Sequence, residues 1–329
     1  MAPLDPEKLR RIAVLTGGGD APGMNACVRA VVRTALAYDV DVFGVRRAYA
    51  GLVAGDMDRL GARDVGGIIH QGGTVLQTAR LPEFKELTMQ REALRRLNAN
   101  RIDALIVIGG DGSLSGALAL HRLGFPIVGV PASIDNDIWG TNMSIGVDTA
   151  INTILDAIDK VRDTASSHQR AFLIETMGRD CGYLALMSGI SGGAEVILIP
   201  EQSIPLEEVA ERVEQAYIRG KTHAIIVNSE GSEHDSRDIA DYLNEQRTGF
   251  DVRVTILGHV QRGGRPSGFD RLLATRFGNS AVKCLLAGEA GIMVGLSGRE
   301  IHAVPLEEVV SRERQANLHY YELTRMLAQ

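Results

Sequence analysis

Two carboxylates one residue apart, Asp135 and Asp137, follow an apolar run in the segment Val130-Pro-Ala-Ser-Ile-Asp-Asn-Asp-Ile-Trp-Gly-Thr141. In an extended segment that spacing faces both side chains the same way, so one can accept a proton while the other serves a metal or tunes its neighbour. Asp135 is the candidate base. A solvated Asp-Asn-Asp turn is the plainer reading. Its position after a strand favours chemistry, because open parallel sheets bind ligands beyond the carboxyl ends of their strands.

Two glycine-rich turns share that setting. Leu15-Thr-Gly-Gly-Gly-Asp-Ala-Pro-Gly-Met-Asn25 leads into an apolar helical face of Cys27, Val28, Val31 and Val32. Such a turn presents backbone N–H groups at a helix N-terminus, where phosphate is electrostatically welcome. An ordinary strand-to-helix turn has the same composition. No Gly-Lys-Ser/Thr follows, and Pro22 breaks the G-x-G-x-x-G spacing, so neither a Walker A loop nor a dinucleotide fingerprint is met. In Ile108-Gly-Gly-Asp-Gly-Ser-Leu-Ser-Gly-Ala117, Asp111 would repel phosphates unless a divalent cation lay between, so it reads as a Mg²⁺ carrier or as a helix N-cap. Gly112 keeps the wall low for a bulky ligand.

Further anion-capable residues fall at what read as other strand ends: Ser167-His-Gln-Arg170, Met177-Gly178-Arg179, Glu230, Arg253 and His259-Val-Gln-Arg262. The arginine fork suits phosphate, and several forks in one cleft hold it despite an acidic chain. Singly, each reads as a surface charge, and His168 and His259 as hydrogen-bonded structural histidines.

The elements that position these residues repeat a pattern. Short Val- and Ile-rich runs, each followed by Gly or Asp and then a helical period, predict buried parallel strands alternating with helices. The strands read as Ile12 to Leu15, Val40 to Val45, Ala104 to Ile108, Ile127 to Val130, Ala171 to Glu175, Val196 to Ile199, Ala224 to Val227, Val252 to Leu257 and Ile292 to Leu296. Asp148 to Thr164 carries the longest helical stripe, through Ile151, Ile154, Leu155, Ile158 and Val161. The fold class is α/β, and 329 residues suggest two lobes.

Composition narrows the function. A net charge of −6 with 5% aromatic residues argues against nucleic acid or an anionic membrane as partner. Cys27, Cys181 and Cys284 form no CxxC pair, which fits a reducing cytoplasm, and no apolar run is long enough for a signal or a membrane span.

The ordered set LTGGGDAPGMN, GGTVLQTAR, IGGDGS, PASIDND, GTNMSIGVDTA, SSHQR, ETMGRDCGY, EGSEHD and LGHVQRGGRPSGFDR resembles the bacterial-type ATP-dependent 6-phosphofructokinases across nearly the whole chain. The resemblance implies transfer of the ATP γ-phosphoryl group to the 1-hydroxyl of fructose 6-phosphate, the committing step of glycolysis, with Mg²⁺. It implies two doubly wound Rossmann-like lobes with mostly parallel sheets and the active site in the inter-lobe cleft. The nucleotide-binding lobe would be residues 1–146 and 261–311, and the sugar-phosphate-binding lobe residues 147–260 and 312–329.

Carried onto matching positions, Asp135 is the base, with Ser133 and Asp137 beside it. Gly19 offers its N–H, and Arg80 and Arg179 their charge, to the migrating phosphoryl, while Asp111 carries Mg²⁺. Those roles agree with what phosphoryl transfer requires. Nucleotide contacts fall to Gly19, Tyr49, Arg80, Gly110, Gly112, Ser113 and Gly116, the small residues leaving room for adenosine. Sugar contacts fall to Met177, Gly178, Glu230, His259 and Arg262, with Arg170 and Arg253 reaching the 6-phosphate from a neighbouring subunit of a homo-oligomer, a tetramer by resemblance. An effector site for a nucleoside diphosphate or phosphoenolpyruvate matches at Arg29, Arg33, Arg162, Gly193, Glu195 and Lys221, where like charges on facing helices favour an anion.

Pyrophosphate-using relatives carry Asp at the place of Gly112 and Lys at that of Ala132, so the chain's residues favour ATP. It departs from the pattern at Ala62, where an effector-binding arginine is usual and Arg59 and Arg63 lie nearby, at Leu81 beside the nucleotide, and at Ala132-Ser133 in place of Gly-Thr. The alternatives are a pyrophosphate-dependent phosphofructokinase and a non-catalytic sugar-phosphate sensor, which would be expected to lose Asp111, Asp135 or Arg179. An NAD-linked dehydrogenase fails on its fingerprint.

Overall fold

Runs of Val and Ile with no polar face suit strands buried on both sides, and both sheets are built on them. The computed structural model describes residues 5–327, so residues 1–4 and 328–329 of the expected lobes lie outside it. From the N-terminus come β1 (Arg11–Thr16), α1 (Met24–Leu36), β2 (Asp41–Val45), α2 (Ala48–Ala54), β3 (Met57–Leu60), α3 (Leu87–Ala99), β4 (Ala104–Gly109), α4 (Asp111–Arg122) and β5 (Ile127–Pro131). Next are α5 (Val147–His168), β6 (Arg170–Thr176), α6 (Tyr183–Ser191), β7 (Val196–Leu198), α7 (Leu206–Ile218), β8 (Ala224–Ser229), α8 (Ser236–Glu245) and β9 (Asp251–Ile256). The chain ends with α9 (Gly268–Leu286), β10 (Ile292–Ser297), β11 (Glu300–Pro305), α10 (Leu306–Ser311) and α11 (Leu318–Leu327).

These elements divide into two units, Met1–Ser133 with Asp137–Asp148 and Arg262–Glu313, and Ile134–Asn136 with Thr149–Gln261 and Arg314–Gln329. The first holds a seven-stranded sheet in the order β11-β10-β5-β4-β1-β2-β3. Its inner pairings are parallel, and only β3 and β11 run antiparallel to their neighbours. One face packs Leu15, Leu105 and Val107 against Leu52, Leu97, Leu114 and Leu306. On the other, α1 and α9 press so closely that a Cβ at Gly278 would lie 2.7 Å from the Cys27 carbonyl. Burial without a charged partner pushes the Cys27 thiol well up, so it stays protonated.

The second unit holds a fully parallel sheet in the order β7-β8-β6-β9. Leu173, Leu198 and Ile226 pack against Val209 and Val213 of α7 and Ile239 and Leu243 of α8. Strand alternation turns Ile197 the other way, where Gly189 of α6 meets it; a Cβ there would fall 2.4 Å from its side chain. Helices therefore cover both faces.

All nine expected strands form. The two unforeseen ones, β3 and β11, are edge strands with exposed or half-buried polar residues, which leave no apolar run to read. No helix among the described residues is long and apolar enough to cross a membrane.

Filling the closest helix contact should be costly. Gly278→Val is expected to destabilise the fold by about 1–3 kcal/mol through overpacking, read as a lower urea midpoint, with Gly268→Ala, which faces open space, as control.

Candidate active site

The chain order of the larger sheet reverses between β1 and β4, the place where a doubly wound sheet opens a crevice at its carboxyl edge. Both glycine turns start there. The Gly17 N–H donates to the Ile108 carbonyl at 2.9 Å. A Cβ at Gly17 would sit 2.6 Å from Ser113 Oγ, and one at Gly109 2.6 Å from the Gly17 carbonyl. Two backbone turns and one serine hydroxyl thus fill a niche with no room for side chains. Beyond it, Gly19 abuts a guanidinium: a Cβ there would fall 2.1 Å from Nη1 of Arg262, itself buried.

Asp111 opens α4 and is exposed, but it does not cap the helix; Gly110 is the N-cap and no side chain closes it. A carboxylate at that position suits the positive end of the helix dipole. At Gly112 an added Cβ meets nothing within 4 Å, so this glycine leaves open space. Gly116 does something else. Its missing side chain makes way for the Tyr49 ring, 2.6 Å from a built Cβ. Tyr49 is buried, stacks on Phe84 at 4.1 Å and donates its hydroxyl to the Ser113 carbonyl at 2.5 Å. Arg80 is exposed, and Leu81 packs against the same apolar cluster as Tyr49.

The carboxylate pair does not share a face. Asn136 adopts a left-handed conformation, φ 55°, between them, so the segment turns and strand alternation does not apply. Asp137 accepts from Ser133 Oγ at 3.1 Å, whereas buried Asp135 lies 3.6 Å from Arg179 Nε. Ala132, buried, continues the line of β5 and bridges to Ile145.

In the second unit the loop after β6 is held by its neighbour. Oε1 of Glu230, just beyond β8, accepts the N–H groups of Gly178 at 3.2 Å and Arg179 at 3.1 Å. Those bonds fix Arg179 in a left-handed conformation, φ 50°, costly for a side-chain-bearing residue and so held by its surroundings. Gln261, fully buried, accepts the Met177 N–H at 3.1 Å. His259 is exposed in the short 3-10 turn Gly258–Arg262.

Arg170 and Arg253 are not at carboxyl ends as expected. Arg170 is the first residue of β6, which the chain enters at once from α5, ending at His168, and Arg253 is the third residue of β9. Both reach Asp251, at 3.4 and 2.7 Å. Ser167 and His168, expected at a strand end too, belong to the last turn of α5.

The expected effector residues divide between the units. Arg29, half-buried, and Arg33, exposed, lie on α1, and Arg59 of β3 is paired with Asp41. In the second unit each cation has an acceptor: Arg162 bonds the Gly192 carbonyl, and Lys221 lies 3.2 Å from Glu195, which also accepts the Ile225 N–H. Gly193 sits beside Arg162.

Motif residues with no assigned role prove to hold the turns. Asn25, buried at the start of α1, bonds Gln71, Gly72 and Val75, and Asp270, fully buried, accepts the Gly146 N–H at 2.9 Å. Their signal was only that they lie inside unusually polar stretches next to glycine.

The family described as Phosphofructokinase matches residues 11–285. An ATP-dependent 6-phosphofructokinase of Halalkalibacterium halodurans is 50% identical over 97% of this chain and 100% of its own length. One of Bacillus thuringiensis is 49% identical with the same coverage. A solved phosphofructokinase of Saccharomyces cerevisiae superposes with a TM-score of 0.86 at 40% identity, over 92% of this chain and 45% of the yeast chain. A Pichia pastoris phosphofructokinase in the T-state gives 0.88 at 36%, over 98% and 37%.

If Glu230 fixes the loop after β6, Glu230→Ala should speed amide exchange at Gly178 and Arg179 by about tenfold or more, since two N–H groups lose a charged acceptor. Unchanged protection would assign the hold to other contacts.

Proposed function

The chain belongs to the phosphofructokinase family, and we propose that it transfers the γ-phosphoryl group of ATP to the 1-hydroxyl of fructose 6-phosphate, giving fructose 1,6-bisphosphate and ADP. One observation carries the reading: a buried carboxylate, Asp135, held 3.6 Å from an exposed cation, Arg179, on a loop that a second carboxylate fixes. The carboxylate is the base that takes the hydroxyl proton, and the cation serves the phosphoryl group. Arg179 is largely exposed while Asp135 is buried, so the arginine is the partner free to turn.

The first unit is the nucleotide-binding one. Gly19 offers a backbone N–H, Gly110 and Gly112 keep the approach open, and Arg80 adds charge. Tyr49, Ser113 and Gly116 shape the wall from behind. Asp111 is a single exposed carboxylate, and no group of three His, Cys, Asp or Glu stands ready for a metal among the described residues. That donor set fits Mg²⁺, which keeps waters and takes phosphate oxygens with one or two carboxylates. When bound, the ion neutralises charge on the phosphates.

The second unit is the sugar-phosphate-binding one, through Met177, Gly178 and Glu230, with His259 and, from the first unit's sequence, Arg262. Arg170, at the start of β6, and Arg253, within β9, are proposed, on the resemblance to the family, to serve a sugar bound to another copy. A homotetramer is the assembly proposed, supported by the exposure of two large apolar side chains, Ile256 at the end of β9, 50% exposed, and Val260 in the turn after it, 63% exposed. Arg29, Arg33, Arg162, Gly193, Glu195 and Lys221 are proposed to take a nucleoside diphosphate or phosphoenolpyruvate as effector. The cytoplasm, where ATP and hexose phosphates circulate, is the compartment proposed.

Purified protein with fructose 6-phosphate and Mg²⁺ should use ATP far better than pyrophosphate; the reverse preference would overturn the donor assignment. Asp135→Ser should lower kcat by several powers of ten with fructose 6-phosphate binding largely kept. Gly112→Asp should impair ATP use much more than sugar binding, since its carboxylate enters open space beside the phosphates. Mixing Asp135→Ser with Arg170→Ala chains, each nearly inactive, should restore a fraction of activity. No recovery would remove the cross-chain role.

A further inference from the structure

The GGTVLQTAR segment leads directly to Arg80, and the residues before Arg80 are tied to the first glycine turn by six hydrogen bonds. Asn25 Nδ2 donates to the Gln71 and Gly72 carbonyls, both at 3.1 Å, and its Oδ1 accepts the Val75 N–H at 2.7 Å. Thr16 Oγ1 donates to the Gln77 carbonyl at 3.1 Å and, with its proton so used, accepts from Thr74 Oγ1 at 2.7 Å. Leu76, buried, anchors the middle against Gly44 of β2, and its carbonyl accepts the Arg47 N–H at 2.8 Å. At the end nearest Arg80, Thr78 Oγ1 donates to the Gly18 carbonyl at 2.9 Å.

This last bond is the one that touches the phosphate-binding turn itself. Gly18 has φ 80°, and its peptide joins it to Gly19, the residue whose N–H is offered to the donor. A hydroxyl bonded to the Gly18 carbonyl therefore fixes the plane of the peptide that carries the Gly19 N–H, because C=O and N–H of one peptide unit turn together. We infer that residues 71–80 act as a strap that sets the glycine turn after β1 relative to Arg80, and that the Thr78 hydroxyl is the positioning residue that aims the Gly19 N–H at the donor phosphates. This rests on the donor reading above.

Wild-type phosphorylation of fructose 6-phosphate by ATP tests that reading first and separately. Given it, Thr78→Val, which keeps the shape and removes the hydroxyl, should raise the KM for ATP about tenfold, leaving the KM for fructose 6-phosphate within about twofold and the thermal midpoint little changed. Thr78→Ser, which keeps the donor, should stay within about threefold of wild type. Thr74→Val should raise the KM for ATP as well, and the double variant should cost less than the product of the two, as expected for side chains acting through one strap. An unchanged KM for ATP in Thr78→Val, equal losses in the valine and serine variants, or independent effects in the double variant would overturn the inference; the last would make Thr78 a direct ligand.

Discussion

The contact between the turns after β1 and β4 is the constraint on which the first unit depends. A polyanion has to be held by a chain of net charge −6, so the positive potential must come from local groups rather than from the whole surface. Backbone N–H groups at a helix start supply it only if the backbone itself is reachable. Gly17 and Gly109 bring the two backbones together, with the Ser113 side chain packed against both. Once the turns meet, Asp111 and Gly112 have their places at the head of α4, and Tyr49 can close the niche from behind through the Ser113 carbonyl.

The second unit solves a different problem with the same strand ends. It keeps a carboxylate buried, and it does so by lending Asp135 a cation on a loop whose backbone is fixed by Glu230. The left-handed conformation of Arg179 is the sign of that constraint. A loop whose backbone is held and whose long side chain is exposed combines a fixed pivot with a solvent-facing tip.

The alternation of Val- and Ile-rich runs with helical stripes made the two doubly wound sheets legible, since inner strands have no polar face to disguise them. The edge strands β3 and β11 were not, because half-exposed polar residues carry no period. The places of the glycine turns after β1 and β4, and of Asp135 after β5, were legible from the apolar runs that precede them. The relation of Asp135 to Asp137 was not, because a single left-handed residue, Asn136, undoes strand alternation and no composition announces it. Gly116 shows the same limit: smallness is visible in a sequence, but whether it makes room for a ligand or for Tyr49 depends on packing. Arg170 was placed at the wrong end of its strand because the helix before it runs four residues beyond its apolar stripe, to His168. Asn25, Thr78 and Glu230 hold backbone, and side chains that hold backbone leave no pattern of their own.

The central claim is one direct displacement, from a donor held over the glycine turns to a hydroxyl primed by Asp135, with no side chain carrying the phosphoryl group in between. Stereochemistry at phosphorus tests it most directly. With ATP made chiral at the γ-phosphorus by oxygen isotopes, the account predicts inversion of configuration in fructose 1,6-bisphosphate. Retention would require two displacements through a phosphorylated side chain, and would contradict it.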